Sequence, residues 1–250
     1  MAEILRIEGI SRSFDGIKAI NCLSMSVVKG GVSAIIGPNG AGKTTLFNII
    51  CGFLHPDQGQ IFYKGTEITA LNPWKRAAQG IGRLFQDIRV FRKLSLVENL
   101  LVTFKDGSEN PLKAVFGLRN RSEKEYNAEA MRWLEFVGLA ELRNESAEHL
   151  SWGQQKLLSL ARLLCGNFEL LLIDEPVSGV NPKMAETILE KICGLTDYGK
   201  TVMVVEHDME AVGKIAQFVY YMDSGNITAS GTADSVLNNH DVVGNYLGFH

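Results

Sequence analysis

The sequence predicts an α/β fold: a phosphate-loop nucleotide-binding core, a small antiparallel β subdomain and an inserted α-helical subdomain. Three observations point to it. Residues Gly37-Pro38-Asn39-Gly40-Ala41-Gly42-Lys43-Thr44 match the phosphate-cradling pattern G-x-x-x-x-G-K-[ST] in full. Two later apolar runs, Leu170 to Ile173 and Thr201 to Val205, read as buried strands that each deliver acidic residues at their ends. Between the loop and those strands, from about Asp87 to Cys165, the pattern is helical.

Residues 4 to 10 and 22 to 28 read as strands joined by a turn containing Phe14, Asp15 and Gly16, where an aromatic beside a tight turn is usually core. Val32, Ala34, Ile35 and Ile36 form a buried-strand run, and Leu46, Phe47, Ile49 and Ile50 follow at helical spacing, so strand, loop and helix come in the order a phosphate loop needs. Glycines at 37, 40 and 42 lack the Cβ atoms that would hold backbone amides away from phosphate oxygens. With Pro38, Asn39 and Ala41 they form an anion nest at a helix start. Lys43 supplies a charge for the outer phosphates, Thr44 a hydroxyl for Mg²⁺, and Thr45 falls in the same nucleotide-contacting set. The alternative is a glycine-rich turn that merely joins two elements.

Gly52 ends this helix, and Ile61 to Tyr63 and Glu67 to Ile68 are short strands around Lys64-Gly65, an antiparallel patch. Two capping boxes, Ser95 with Glu98 and Ser122 with Glu125, start helices in the inserted segment. The second helix places Tyr126, Ala130, Trp133, Leu134 and Val137 on one face, a core stripe, and stops at Gly138 with Leu139 beyond. Lys105 to Arg121 is either a loop with a partner-facing hydrophobic tip or a solvated connector with one short helix. The expected domains are 1–86, the core with the antiparallel subdomain; 87–165, the helical subdomain; 166–231, the rest of the core; and 232–250, a helical tail.

With 250 residues, 46% of them hydrophobic, the chain can bury a substantial core. A formal charge of −3 and no long Lys/Arg stripe disfavour nucleic acid as a partner. Cys22, Cys51, Cys165 and Cys193 lack C-x-x-C spacing and read as small buried thiols rather than disulfides or zinc ligands. No apolar run approaches the ~20 residues of a membrane span and no secretory signal is recognisable, so the expectation is a chain kept in the cytosol.

Leu170 to Ile173 lead into Asp174 and Glu175 at the carboxyl end of a strand, where open α/β sheets bind ligands. Asp174 suits Mg²⁺ and Glu175 suits polarising an attacking water; alternatively both cap a helix beginning after Pro176. Thr201 to Val205 lead into Glu206-His207-Asp208; a lone His after a strand is more often structural, but a strand end of the same sheet sets His207 for contact with a γ-phosphate. Leu150-Ser151-Trp152-Gly153-Gln154-Gln155 begins another helix, where Ser151, Gly153 and Gln154 form a second anion site or an ordinary N-cap.

With that stretch included, the chain resembles the ATP-binding subunits of ABC transporters, whose signature Leu-Ser-Gly-Gly-Gln lies between the helical subdomain and the acid-bearing strand, and the resemblance spans essentially the whole chain. It implies that Phe14 stacks on adenine, that Gln86 senses Mg²⁺ and leads into the part facing the membrane partner, that Ser178-Gly179-Val180-Asn181 is an interface loop, and that His207 is the switch histidine. Trp152 replaces the first signature glycine, Phe14 the more usual Tyr and Asn181 the usual Asp; Trp152 is compatible provided its ring points away from the phosphate. Gly82 to Arg89, Ser178 to Pro182, Val205 to Met209 and Tyr246-Leu247-Gly248 resemble the ATPase subunits of branched-chain amino-acid importers, with urea and amide importers and lipopolysaccharide exporters also similar.

The resemblance implies ATP and Mg²⁺ as ligands, and a head-to-tail pair of ATPase subunits, the second a copy or a homologue, in which Ser151 to Gln154 of one chain close the phosphate loop of the other. It further implies transmembrane permease subunits, a periplasmic or extracellular binding protein acting indirectly, and a place at the cytoplasmic face of the inner membrane. Soluble ABC ATPases of DNA repair or translation are another class, but they usually add a coiled-coil insertion or a second ATPase half; a nucleotide-sensing regulatory module without turnover is a third, against which intact Glu175 and His207 argue.

Overall fold

The computed structural model describes residues 2–104 and 123–240, together with 242 and 244. The 105–121 segment, Ser122 of the second capping box and the Tyr246-Leu247-Gly248 tail lie outside the described residues. The chain divides into two compact units: Met1–Gln86 with Phe168–Ser178 and Glu186–His250, and Asp87–Asn167 with Gly179–Ala185.

In the first unit, β1 (Glu3–Phe14) and β2 (Ile17–Val28) form a hairpin over Asp15-Gly16. Both turn residues have positive φ, 47° and 83°, as a two-residue hairpin turn matching strand twist demands. The strands run further than 4–10 and 22–28 because register shifts between Ile7 and Ile10 and between Ile10 and Arg12 break the alternation without ending the pairing. β3 (Val32–Ile36) leads through the glycine loop into α1 (Lys43–Cys51), closed by Gly52 at φ 79°. β4 (Gln58–Tyr63) turns at Lys64-Gly65 into β5 (Thr66–Glu67), and the antiparallel sheet has the order β2-β1-β4-β5. Ile68 falls one residue beyond β5, yet its amide still bonds the Ile61 carbonyl at 2.8 Å.

Helix α2 (Pro73–Gln79) precedes β6 (Ile81–Leu84). The second unit holds α3 (Leu96–Leu101), α4 (Glu123–Phe136) and α5 (Trp152–Leu164). Its Ser95–Glu98 box is formed in both directions. Gly138, at φ 76°, stops α4, with the Leu139 amide returning to Leu134 O at 2.8 Å. Ala130, Trp133, Leu134 and Val137 are buried, as a core stripe requires.

The remaining elements are β7 (Leu170–Asp174), α6 (Pro182–Gly194), β8 (Thr201–Val205), α7 (Met209–Ile215), β9 (Phe218–Asp223), β10 (Asn226–Thr232) and α8 (Ala233–Leu237). The larger sheet runs β10-β9-β3-β8-β7-β6, parallel except for the β9–β10 hairpin. Every residue of β3, β7 and β8 is buried, which explains why they read as continuous apolar runs. The register pairs Ile35 with Val205, Val205 with Asp174, and Ile173 with Leu84, so the chain leaves four strands along one edge of the sheet. Among the described residues no helix is long and apolar enough to cross a membrane.

Among the described residues the bulkiest fully buried side chain is Arg76, which no local pattern announces. Its guanidinium donates to Ile49 O at 2.6 Å, Ile50 O at 2.9 Å, Thr69 O at 2.8 Å and Leu71 O at 2.9 Å. The first two are carbonyls of the last turn of α1, which have no partner within the helix and carry the negative end of its dipole. Burial lowers the Arg76 pKa to about 10, so the group stays charged at neutral pH. Arg76→Met leaves the Ile50 and Leu71 carbonyls without their donor and Ile49 O with only the Gly52 amide at 3.1 Å, at about 1–3 kcal/mol for each carbonyl that no water reaches. A fall in the urea unfolding midpoint equivalent to about 3 kcal/mol or more is therefore expected; an unchanged midpoint would show that the arginine does not hold the end of α1.

Candidate nucleotide site

The phosphate loop is shaped from behind as much as from the ligand side. A Cβ at Gly37, whose φ is 150°, would lie 1.9 Å from Met222 O of β9, and one at Gly42, φ 102°, would lie 2.4 Å from Ala19 O of β2. Glycine is thus required there by the protein's own carbonyls, and not only by the approach of a phosphate that the sequence motif suggests. At Gly40, φ 82°, there is open space, and only the backbone conformation calls for glycine. Lys43 is buried and donates from Nζ to Gly37 O at 2.6 Å and Pro38 O at 2.9 Å. Burial lowers its pKa, while the negative fields of Glu175 and Asp174 oppose that shift, so the cation lies within electrostatic reach of both acids. Thr44 is exposed and Thr45 half-buried on the first turn of α1; Asn39 is exposed and Pro38 half-buried in the loop.

Across the sheet edge, Asp174 ends β7 and Glu175 turns the chain out of it at φ 45°, a left-handed conformation costly for a side chain that is not glycine. The segment after Pro176 is a turn, and the next helix starts at Pro182, so the acids do not cap a helix beginning after Pro176. Gln86, just past β6, donates from Nε2 to Glu175 Oε2 at 2.8 Å. His207, just past β8, has Nδ1 3.9 Å from Glu175 Oε1. Lys43, Asp174, Glu175, Gln86 and His207 thus share one edge. Phe14, at the end of β1, is 39% exposed with Arg12 5.0 Å from its ring centroid, which removes the core reading of this aromatic.

Two residues at this edge have no sequence signal that marks them. Arg83 of β6 donates from Nη2 to Asp174 Oδ2 at 3.0 Å and from Nη1 to Asn48 Oδ1 of α1 at 2.6 Å, between the rings of Phe47 and Phe85. This ion pair is nearly dry, with side-chain exposures of 6% and 8%, and it occupies one oxygen of Asp174. Glu206 is fully buried; burial raises its pKa, and hydrogen bonds from the Val177, His207 and Asp208 amides work against that shift.

In the second unit Ser151 caps α5: its hydroxyl accepts from Gln154 N at 3.3 Å, and Gln154 Oε1 accepts from Ser151 N at 2.9 Å. N-capping and anion binding are compatible, because an accepting hydroxyl still carries a proton to donate. Gly153 packs so closely that a Cβ would meet Met184 Cγ at 2.3 Å, and Asn181 Oδ1 accepts from Met184 N at 3.0 Å to cap α6. The Trp152 ring lies beside Gly179, where an added Cβ would be 3.5 Å from the indole Nε1, so the indole is turned toward Gly179 of its own unit and remains 49% exposed.

Arg83→Met strands the Asp174 carboxylate in a dry site, a change that costs about 3–5 kcal/mol when a buried pair loses one partner. Urea unfolding should show that loss, and the double variant with Asp174→Asn should recover most of it. A double variant no more stable than Arg83→Met would mean that the two charges are not coupled.

Residues 20–178 match the family model described as ABC transporter. The chain is 38% identical over 246 residues to the probable branched-chain amino acid transport ATP-binding protein LivG of Archaeoglobus fulgidus, covering 98% of this chain and 96% of that protein. To the high-affinity branched-chain amino acid transport ATP-binding protein BraF of Pseudomonas aeruginosa it is 39% identical over 249 residues, covering 98% of each. Among solved structures, an ATP-binding cassette of an ABC transporter in its ADP conformation superposes with a TM-score of 0.87 at 36% identity, covering 99% of this chain and 100% of that one. A cradle backed by its own carbonyls, facing two acids at a parallel-sheet edge and shared over nearly the full length with such relatives, places this chain in the ABC transporter family.

Proposed function

We propose that the chain is the ATP-binding and ATP-hydrolysing subunit of an importer for branched-chain or related amino acids. The observation that carries the reading is the convergence on one sheet edge of the Lys43 cation, the Asp174 and Glu175 carboxylates, and Gln86 bonded to Glu175. Phosphoryl transfer needs mainly positioning and charge stabilisation, and these groups supply both.

ATP lies with its adenine on Phe14 and its phosphates on the loop amides from Asn39 to Gly42 at the start of α1, with Lys43 leaving the loop carbonyls for the outer phosphates. Thr44, the unpaired oxygen of Asp174 and the Gln86 amide oxygen are a donor set that suits Mg²⁺, which takes few protein ligands and completes its shell with phosphate and water oxygens. When bound, Mg²⁺ would neutralise charge on the outer phosphates. Glu175 orients a water and accepts its proton as the water oxygen bonds to the γ-phosphorus and the bond to the bridging oxygen breaks. His207 steadies the γ-phosphate and Lys43 absorbs charge developing on the leaving oxygens.

Two such subunits, this chain with a copy or a homologue, close head to tail over two ATPs, the Ser151 to Gln154 turn of each roofing the phosphate loop of the other. Closure is favoured because the γ-phosphates gain donors only in the closed pair. Permease subunits at the membrane are driven through the segment around Gln86 and the helical subdomain. The chain thus sits at the cytoplasmic membrane face, and a periplasmic or extracellular binding protein presents the amino acid. The names of the relatives, which are branched-chain amino acid transport proteins, support this choice of cargo.

Lys43→Ala is expected to lose ATP binding. Glu175→Gln should bind ATP, lose turnover by about a hundredfold or more and accumulate ATP-bound dimers in light scattering; a monomeric Glu175→Gln protein that hydrolyses ATP normally would refute the assignment. Leucine uptake by cells whose only copy carries Glu175→Gln should fall to background, and unimpaired uptake would remove the cargo assignment.

A further inference from the structure

We propose that Glu206 is a positioning residue for ATP hydrolysis, whose buried carboxylate ties the chain just after Glu175 to the chain at His207 and so fixes the spacing of the two reactive side chains. The inference rests on the proposed function, in which Glu175 orients water and His207 contacts the γ-phosphate. Glu206 Oε1 accepts from Val177 N at 3.2 Å, and Oε2 accepts from His207 N at 3.1 Å. The carboxylate therefore bridges the turn leaving β7 and the turn leaving β8, neighbouring strands of the parallel sheet. The Asp208 amide adds a third donor.

Side-chain exposure of Glu206 is 0%, and among the described residues no lysine or arginine is paired with it; the nearest ring nitrogen, His207 Nδ1, is 3.8 Å from Oε2. A dry carboxylate with no lysine or arginine beside it among the described residues is a poor choice for packing alone, where an apolar side chain would serve better. Its oxygens instead do what an apolar side chain cannot: they hold two backbone turns by their amides. One of those turns is strained. Glu175 sits at φ 45°, and such a conformation persists only where its surroundings over-determine it. Restraints on this turn include Glu175 N to Val205 O at 3.0 Å, Ser178 N to Glu175 O at 3.3 Å, and the Val177–Glu206 bond. The first and the last of these come from the end of β8, the strand that also delivers His207. Releasing the Glu206 bridge lets the Glu175 turn relax and lets His207 move independently of it, while the phosphate cradle, built on β3 and α1, is untouched.

The test uses the intact chain. Glu206→Gln conserves volume but sets an NH₂ group against one of the two backbone donors, breaking one tie; Glu206→Asp keeps the charge but is one methylene too short to reach both amides. Each is expected to lower kcat by roughly ten- to a hundredfold, the scale of sub-ångström to one-ångström misplacement of reacting groups. The Kd for a fluorescent ATP analogue should stay within about twofold, because the cradle is unchanged. Turnover is expressed per nucleotide-binding site, so that a variant folding less efficiently does not imitate the effect. In the Glu175→Gln background, adding Glu206→Gln should cause no further loss, since the group it positions is already gone. Wild-type kcat per site in both Glu206 variants, with Glu175→Gln inactive, would overturn the inference and leave the proposed function intact. Normal turnover in Glu175→Gln would bring down the proposed function and the inference with it.

Discussion

A single steric constraint sets the phosphate cradle: the loop leaves β3 pressed against β9, with the Met222 carbonyl where a Cβ at Gly37 would be, 1.9 Å away. The chain can pass only as glycine, and it passes again at Gly42 under the Ala19 carbonyl. With its back held in this way, the loop runs directly into α1, which starts at Lys43. The far end of the same helix is closed by Arg76, whose donors take carbonyls of its last turn. Both ends of α1 are therefore fixed by side chains or carbonyls from other elements.

The parallel register then decides what faces the cradle. Because β6, β7 and β8 finish level with β3, the segments carrying Gln86, Glu175 and His207 emerge together. Three carboxylates, Asp174, Glu175 and Glu206, crowd this edge and are kept apart in character by their partners. Asp174 is neutralised by Arg83, Glu175 is met by the neutral amide of Gln86, and Glu206 is surrounded by backbone donors. Only Glu175 combines partial exposure with a neutral hydrogen-bond donor, the combination suited to a group that must engage water.

Features that depend on neighbours along the chain are legible in the sequence. The Asp15-Gly16 and Lys64-Gly65 turns, the Ser95–Glu98 box, the Gly138 stop and the strand-loop-helix order around Lys43 are all local signals. Features that depend on contacts across the fold are not. Arg83 and Asp174 lie 91 positions apart, and Arg83 reads in sequence as an ordinary charged residue beside an apolar run. Arg76 sits in a short helix between Lys75 and Ala77, and nothing there reveals that it is buried. Glu206 is visible in sequence only as one acid in a cluster behind a strand, because its role depends on a backbone amide 29 positions away. Phe14 beside a turn reads locally as core, against the adenine stacking that the family resemblance implies, and the hairpin carries it to the surface. The strands of that hairpin read too short because bulges disrupt the alternation on which strand recognition rests.

The most direct measurement is the structure of the Glu175→Gln protein with ATP and Mg²⁺. Lys43 Nζ is predicted to leave the carbonyls of Gly37 and Pro38 and to lie about 3 Å from an outer phosphate oxygen, with the Asp174–Arg83 pair intact. Nucleotide bound away from the loop, with Lys43 still donating to both carbonyls, would contradict a cradle built for phosphate.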